Sequence, residues 1–195
     1  SRAIFIFGKM KNYIQNQQDK LKRKRINNID IFIKDQIEGF DPFKVIKKAF
    51  KLVPDHLSRY IDTIYIGNFD HLNKKSQDAS YINGMIFINN KQESENDMLD
   101  DIVHEIAHSI EEVHYDEIYG DLTLQHEFLI KRKKLYELLS QEGFEVDKQS
   151  FENPNYSEKF DMFLYKDVTY SFLRAISVDI FYSPYAATSL REYFA

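Results

Sequence analysis

His104-Glu105-Ile106-Ala107-His108 is the stretch of this chain whose residue types and spacing could do chemistry. Residues four apart on a helix stack on one face, one above the other. Two imidazoles so placed can grip a single metal ion through neutral nitrogens. A carboxylate directly after the first imidazole can reach a water bound to that ion and take its proton. This is the ligand-and-base set of metal-assisted hydrolysis, with zinc the expected ion.

The pentad must sit on a helix to work, and its surroundings read as one. Leu99, Ile102, Val103, Ile106, Ile110 and Val113 recur at helical spacing. Asp97, Asp100 and Asp101 crowd the first turn, where the helix dipole favours anions, and Asn96 or Asp97 fits the N-cap. Two runs upstream, Tyr60 to Gly67 and Tyr81 to Ile88, are rich in β-branched and aromatic residues and read as strands. Asn83-Gly84 is a turn within the second run or a bulge. Strand, strand and then the His-Glu-x-x-His helix is the order expected of a zincin upper half. There an edge strand beside the cleft pairs with an extended polypeptide substrate, here expected along residues 81–88.

Elsewhere, Asp41-Pro42 reads as a helix start with Val45, Ile46, Ala49 and Phe50 as its apolar stripe, closed by Pro54. Leu122 to Leu139 reads as a helix ended by Gly143, and Asn153-Pro154-Asn155 as a turn. Phe160 to Tyr182 is apolar and aromatic, one or two buried helices. Ser183-Pro184 breaks it, and a last helix starts near Thr188 or Ser189. The fold class expected is α+β: a small twisted sheet, an active-site helix and a mainly helical C-terminal half. Residues 1–54 read as a basic, helical N-terminal segment and residues 55–195 as the zincin-like domain.

Bulk properties narrow the partners. A chain of 195 residues, 43% hydrophobic and 15% aromatic, folds as a globule. A net charge of -5 points away from general nucleic-acid affinity. The basic run Lys20 to Arg25 is read as a solvated face or linker, with contact to an anionic surface as the alternative. There are no cysteines, so any zinc must use His and carboxylates. No apolar run has the length of a membrane span. Ala3 to Phe7 is short, with Lys9 and Lys11 after it rather than before, which is not the order of a signal peptide. The start at Ser1 and the end at Ala195 read as those of a fragment or processed product.

Catalytic zinc keeps three protein ligands and an open position for water. His114 has the spacing of a metzincin third ligand, but Glu111 stands where the helix would have to end, and on an unbroken helix His114 lies about 15 Å along the axis from His104. Glu127 follows His108 at nearly thermolysin-like spacing, or simply pairs with Lys131 four residues on. Glu192 opens Glu192-Tyr193-Phe194-Ala195, seven residues after Tyr185, and Ser189 gives it a second reading as part of a capping box. Glu111, Glu112, Asp116 and Asp121 are available to orient the imidazoles.

The pentad, Tyr185 and Glu192-Tyr193-Phe194-Ala195 together resemble the catalytic domain of anthrax lethal factor and the related Pro-Pro endopeptidases. The resemblance spans residues 55–195. It implies a zinc endopeptidase in which His104, His108 and Glu192 are metal ligands, Glu105 is the general base and Tyr185 points into the site. The longer separation of His108 from Glu192 implies an inserted helical hairpin. The alternative function is a catalytically silent zincin-like domain acting as a structural or binding component of a larger assembly. An intact Glu105 argues against it.

Overall fold

A computed structural model describes residues 22–75 and 77–195. It divides into two compact units, one ending at Ile110 and the other running from Glu111 to Ala195. The first unit is built on strands β1 (Lys22–Ile26), β2 (Ile29–Ile33), β3 (Thr63–Gly67), β4 (Ala79–Ile82) and β5 (Met85–Asn89). They form one mixed sheet in the order β1-β2-β3-β5-β4. β2, β3 and β5 run parallel, and β1 and β4 close the two edges antiparallel.

Period-2 patterning explains which face is buried. Ile31, Ile64, Ile66, Ile86 and Ile88 are fully buried. They pack with Val45, Ile46, Ala49 and Phe50 of α1 (Pro42–Leu52) and with Met98, Leu99, Ile102 and Ile106 of α4 (Glu95–Val113). Two short helices, α2 (Asp55–Ser58) and α3 (Asp70–Lys75), lie between these elements in sequence. On the opposite face Phe32, Tyr65 and Phe87 stack across three neighbouring strands at centroid separations of 5.3 and 5.2 Å.

Two expectations change here. The run 81–88 is the hairpin β4–β5 rather than one strand, so of the two readings of Asn83-Gly84 the turn holds and the bulge does not. Asn83 and Gly84 both have positive φ, 46° and 80°, which is the geometry of a tight two-residue hairpin turn. Of the hairpin's two strands it is β4 that lies at a sheet edge, so Met85 to Ile88 is interior and closed to an added strand. Residues 22–33, expected in a basic helical segment, form β1 and β2 instead. Asn27, at φ 54°, turns the chain so that Lys22 to Ile26 pairs with Ile29 to Ile33. The four consecutive cations Lys22 to Arg25 then line an outer edge strand, a common guard against edge-to-edge pairing. Arg23 also bonds Asp30 at 3.2 Å. Lys9, Lys11 and Lys20 fall outside the described residues, as does Ala3 to Phe7.

The second unit is helical: α5 (Tyr115–Tyr119), α6 (Thr123–Gln141), α7 (Lys148–Glu152), α8 (Glu158–Met162), a π-helical stretch Phe163–Thr169, α9 (Tyr170–Ile176), a single 3₁₀ turn Tyr185–Ala187 and α10 (Leu190–Phe194). The last three residues of α4, Glu111 to Val113, are counted with this unit. Phe128, Leu135 and Leu139 of α6 form the core with Phe151, Phe160, Leu164, Val168, Leu173 and Phe181. Gly143, at φ 87°, ends α6 in the left-handed turn where glycine is favoured. Among the described residues, no helix is long and apolar enough to cross a membrane.

Candidate metal centre

Helix α4 starts earlier than the sequence suggests. Ser94, rather than Asn96 or Asp97, caps it: its Oγ accepts the Asp97 amide at 3.2 Å and donates to the Asp97 carboxylate at 2.7 Å. Met98, Leu99, Ile102 and Ile106 anchor one stripe in the core of the first unit, while Val113, expected on that stripe, is exposed. Buried anchoring leaves positions 104 and 108 on an adjacent face.

There the two imidazoles converge. Nε2 of His104 and Nε2 of His108 are 3.1 Å apart, and the rings cross at 87°. Two nitrogens on one tetrahedral zinc, each bound at about 2.0–2.1 Å, stand about 3.3 Å apart. His108 and Glu105 are each only 6% exposed. Ser109, beside them, is fully buried and satisfied by the Ile106 carbonyl at 2.6 Å. The donor chemistry suits a borderline-soft cation: two imidazole nitrogens and no thiolate.

Charge around the start of α4 is strongly negative. Asp78, Glu93, Asp97, Asp100 and Asp101 line a concavity of about 350 Å³ with Lys91 and Gln92. Burial raises the Asp101 carboxyl to about 6, with the negative charges of Asp78 and Glu105 adding to it. Gln92, donating to Asp101 at 3.1 Å, and His104 act the other way. Asp78 is raised too, by burial first and then by Glu93 and Asp97.

In the second unit, Ser189 caps α10 by accepting the Glu192 amide at 3.3 Å, as the capping-box reading expected. Tyr185 opens the 3₁₀ turn, and its carbonyl accepts both the amide and the hydroxyl of Thr188. Arg191 Nε donates to Glu111 Oε2 at 2.7 Å, while the Tyr119 hydroxyl donates to Glu111 Oε1 at 2.9 Å. Glu111 therefore ties α10 to the final turn of α4. Glu111 lies three residues beyond His108 and seven beyond His104, so the three positions share one helix face.

The rival ligands are engaged elsewhere. Glu127 accepts the Tyr193 hydroxyl at 2.5 Å and pairs with Lys131 at 3.3 Å, and the two partners in that order hold its carboxyl below the usual range. His114 caps α5 and bonds Glu117 at 2.6 Å. The Asp121 carboxylate accepts the Thr123 amide at 2.9 Å, just before α6. Two features escaped sequence reasoning: the Glu111–Arg191 tie and the buried Arg132. Glu111 was only one of four acidic candidates, and no local pattern pairs residues 80 apart. Compared with protein-family models, curated proteins and solved structures, the chain finds no match.

Proposed function

We propose that this chain is a zincin-type zinc endopeptidase, related to the lethal factor and Pro-Pro endopeptidase family that its motifs resemble. The observation that carries the reading is the convergence of the His104 and His108 Nε2 atoms at 3.1 Å, with Glu105 buried next to them. His104, His108 and Glu192 are, among the described residues, the group that could hold a metal ion. Arg191, the neighbour of Glu192, is bonded to the helix that carries both imidazoles.

Zinc, when bound, is a Lewis acid that makes a water nucleophilic near neutral pH and polarises a peptide carbonyl. The chain's own residues do the rest. Glu105 takes the proton of the attacking water and returns it to the leaving nitrogen. The Tyr185 hydroxyl donates to the oxygen on which negative charge develops. β4 receives the substrate as an added strand. Its sequence Ala79-Ser80-Tyr81-Ile82 carries no charge, whereas the other edge, β1, carries four cations in succession. An edge meant to accept a peptide lacks the guards an edge meant to stay single needs.

A peptide-library digest tests the activity. The chain loaded with zinc cleaves, 1,10-phenanthroline stops cleavage, and added zinc restores it. A zinc-loaded chain that cleaves nothing in a proteome-derived library contradicts the assignment.

A further inference from the structure

Lys131-Arg132-Lys133-Lys134 reads as a solvated basic run, yet Arg132 is fully buried. It occupies the apolar stripe of α6 between Phe128 and Leu135. Burying a guanidinium is costly unless every donor finds a strong acceptor. No carboxylate among the described residues pairs with it. Its acceptors are backbone carbonyls instead. Nη1 donates to Ala187 O at 2.5 Å and Thr188 O at 3.3 Å. Nη2 donates to Ser150 O at 2.5 Å and Asn153 O at 3.5 Å, while Nε finds no partner. The Phe160, Phe128 and Phe151 rings surround the cation at 4.0, 5.2 and 5.4 Å.

The carbonyls it holds are informative. Those of Ala187 and Thr188 lie immediately before Ser189, the cap of α10. Those of Ser150 and Asn153 belong to the end of α7, and the next residue, Pro154, accepts the Leu190 amide at 2.8 Å. The start of α10 is thus clamped from both sides. α10 has five residues, too few to hold a helix by its own hydrogen bonds. Its placement has to come from such a clamp. A fork of donors on one rigid plane can collect carbonyls from two chain segments, which an ammonium on a flexible stem does poorly.

We propose that Arg132 is a positioning residue for Glu192: by joining the 150–153 and 187–188 backbones it fixes the helix that presents this carboxylate. The proposal rests on the reading of Glu192 as a metal ligand, and its test separates the two. Arg132→Met fills the aromatic enclosure without donors, and Arg132→Lys keeps charge with a poorer fit. Both are made in the full chain, and three quantities are read: near-UV circular dichroism, amide exchange of residues 190–194 against residues 128–139, and zinc affinity by competition with a chromogenic chelator.

Arg132→Met keeps the aromatic dichroism, loses at least tenfold in exchange protection at 190–194 alone, and binds zinc about 10–100-fold more weakly. Arg132→Lys recovers part of both. A folded Arg132→Met with unchanged protection at 190–194, or with unchanged zinc affinity, overturns the proposal. If Arg132→Met fails to fold, Arg132→Lys decides by the same two readouts. If neither folds, the arginine serves the whole helical unit and the positioning role is overturned. A wild-type chain that binds no zinc removes the ligand role of Glu192, and the exchange data alone then decide whether Arg132 fixes α10.

Discussion

Glu105 is a carboxylate buried on α4 directly after the first imidazole. Replacing it with Gln keeps the shape and removes the base. Glu105→Gln therefore retains zinc and loses at least about a hundredfold in kcat, the usual worth of a positioned acid–base; a peptide assay showing wild-type turnover contradicts the base role. Asp101 behaves differently. Its folded-state value of about 6 lies above the ordinary 3.8, so the folded chain takes up the proton first. Between those values stability rises as pH falls, and above them the full cost of the buried charge is present. Asp101→Asn should raise the melting temperature of the metal-free chain at pH 7 by several degrees and flatten its dependence between about pH 4 and 6. An unchanged pH profile would show that burial of Asp101 carries no such cost. The His104–Glu105–His108 set was legible because its chemistry is local, within five residues of one helix. Arg132 was hidden by the three lysines around it. Its one signal was its register with Phe128, Leu135 and Leu139.

At the scale of elements, what matters is how α10 is held. Arg191 is about half exposed, but its partner Glu111 is buried and also serves Tyr119. Losing the arginine leaves a buried carboxylate with one donor fewer, a cost of about 1–2 kcal/mol for a charged hydrogen bond of this exposure. Arg191→Ala should lower stability by that amount in urea unfolding and weaken zinc binding about tenfold or more. Zinc affinity equal to wild type would show that the tie to Glu111 does not place Glu192. α1 was legible in full: Asp41 caps it, Pro42 opens it, and its four expected stripe residues are buried. β1 was not, since four successive charges have no period and only pairing with β2 makes them a strand. The π-helical stretch Phe163–Thr169 was equally illegible. Its extra residue per turn leaves an apolar run looking like any buried helix.

At the scale of the whole molecule, the two units have separate cores; the proposed ligands His104 and His108 belong to the first and Glu192 to the second. An ion so held would stabilise the folded chain by mass action, about 2.7 kcal/mol when free zinc is a hundredfold above its dissociation constant. Stripping zinc with a chelator should therefore lower the melting temperature of the chain. A mixture of helices with one small sheet was readable from the order of strand-like and helical runs. The parallel pairing of β2 with β3 across residue 54 was not, because register between distant strands leaves no local mark. The central claim is tested most directly by the zinc-to-protein ratio of the purified chain beside its Glu192→Ala and Glu127→Ala variants. The account predicts one zinc per wild-type chain, one for Glu127→Ala and far less for Glu192→Ala. A wild-type chain without zinc, or loss confined to Glu127→Ala, would contradict it.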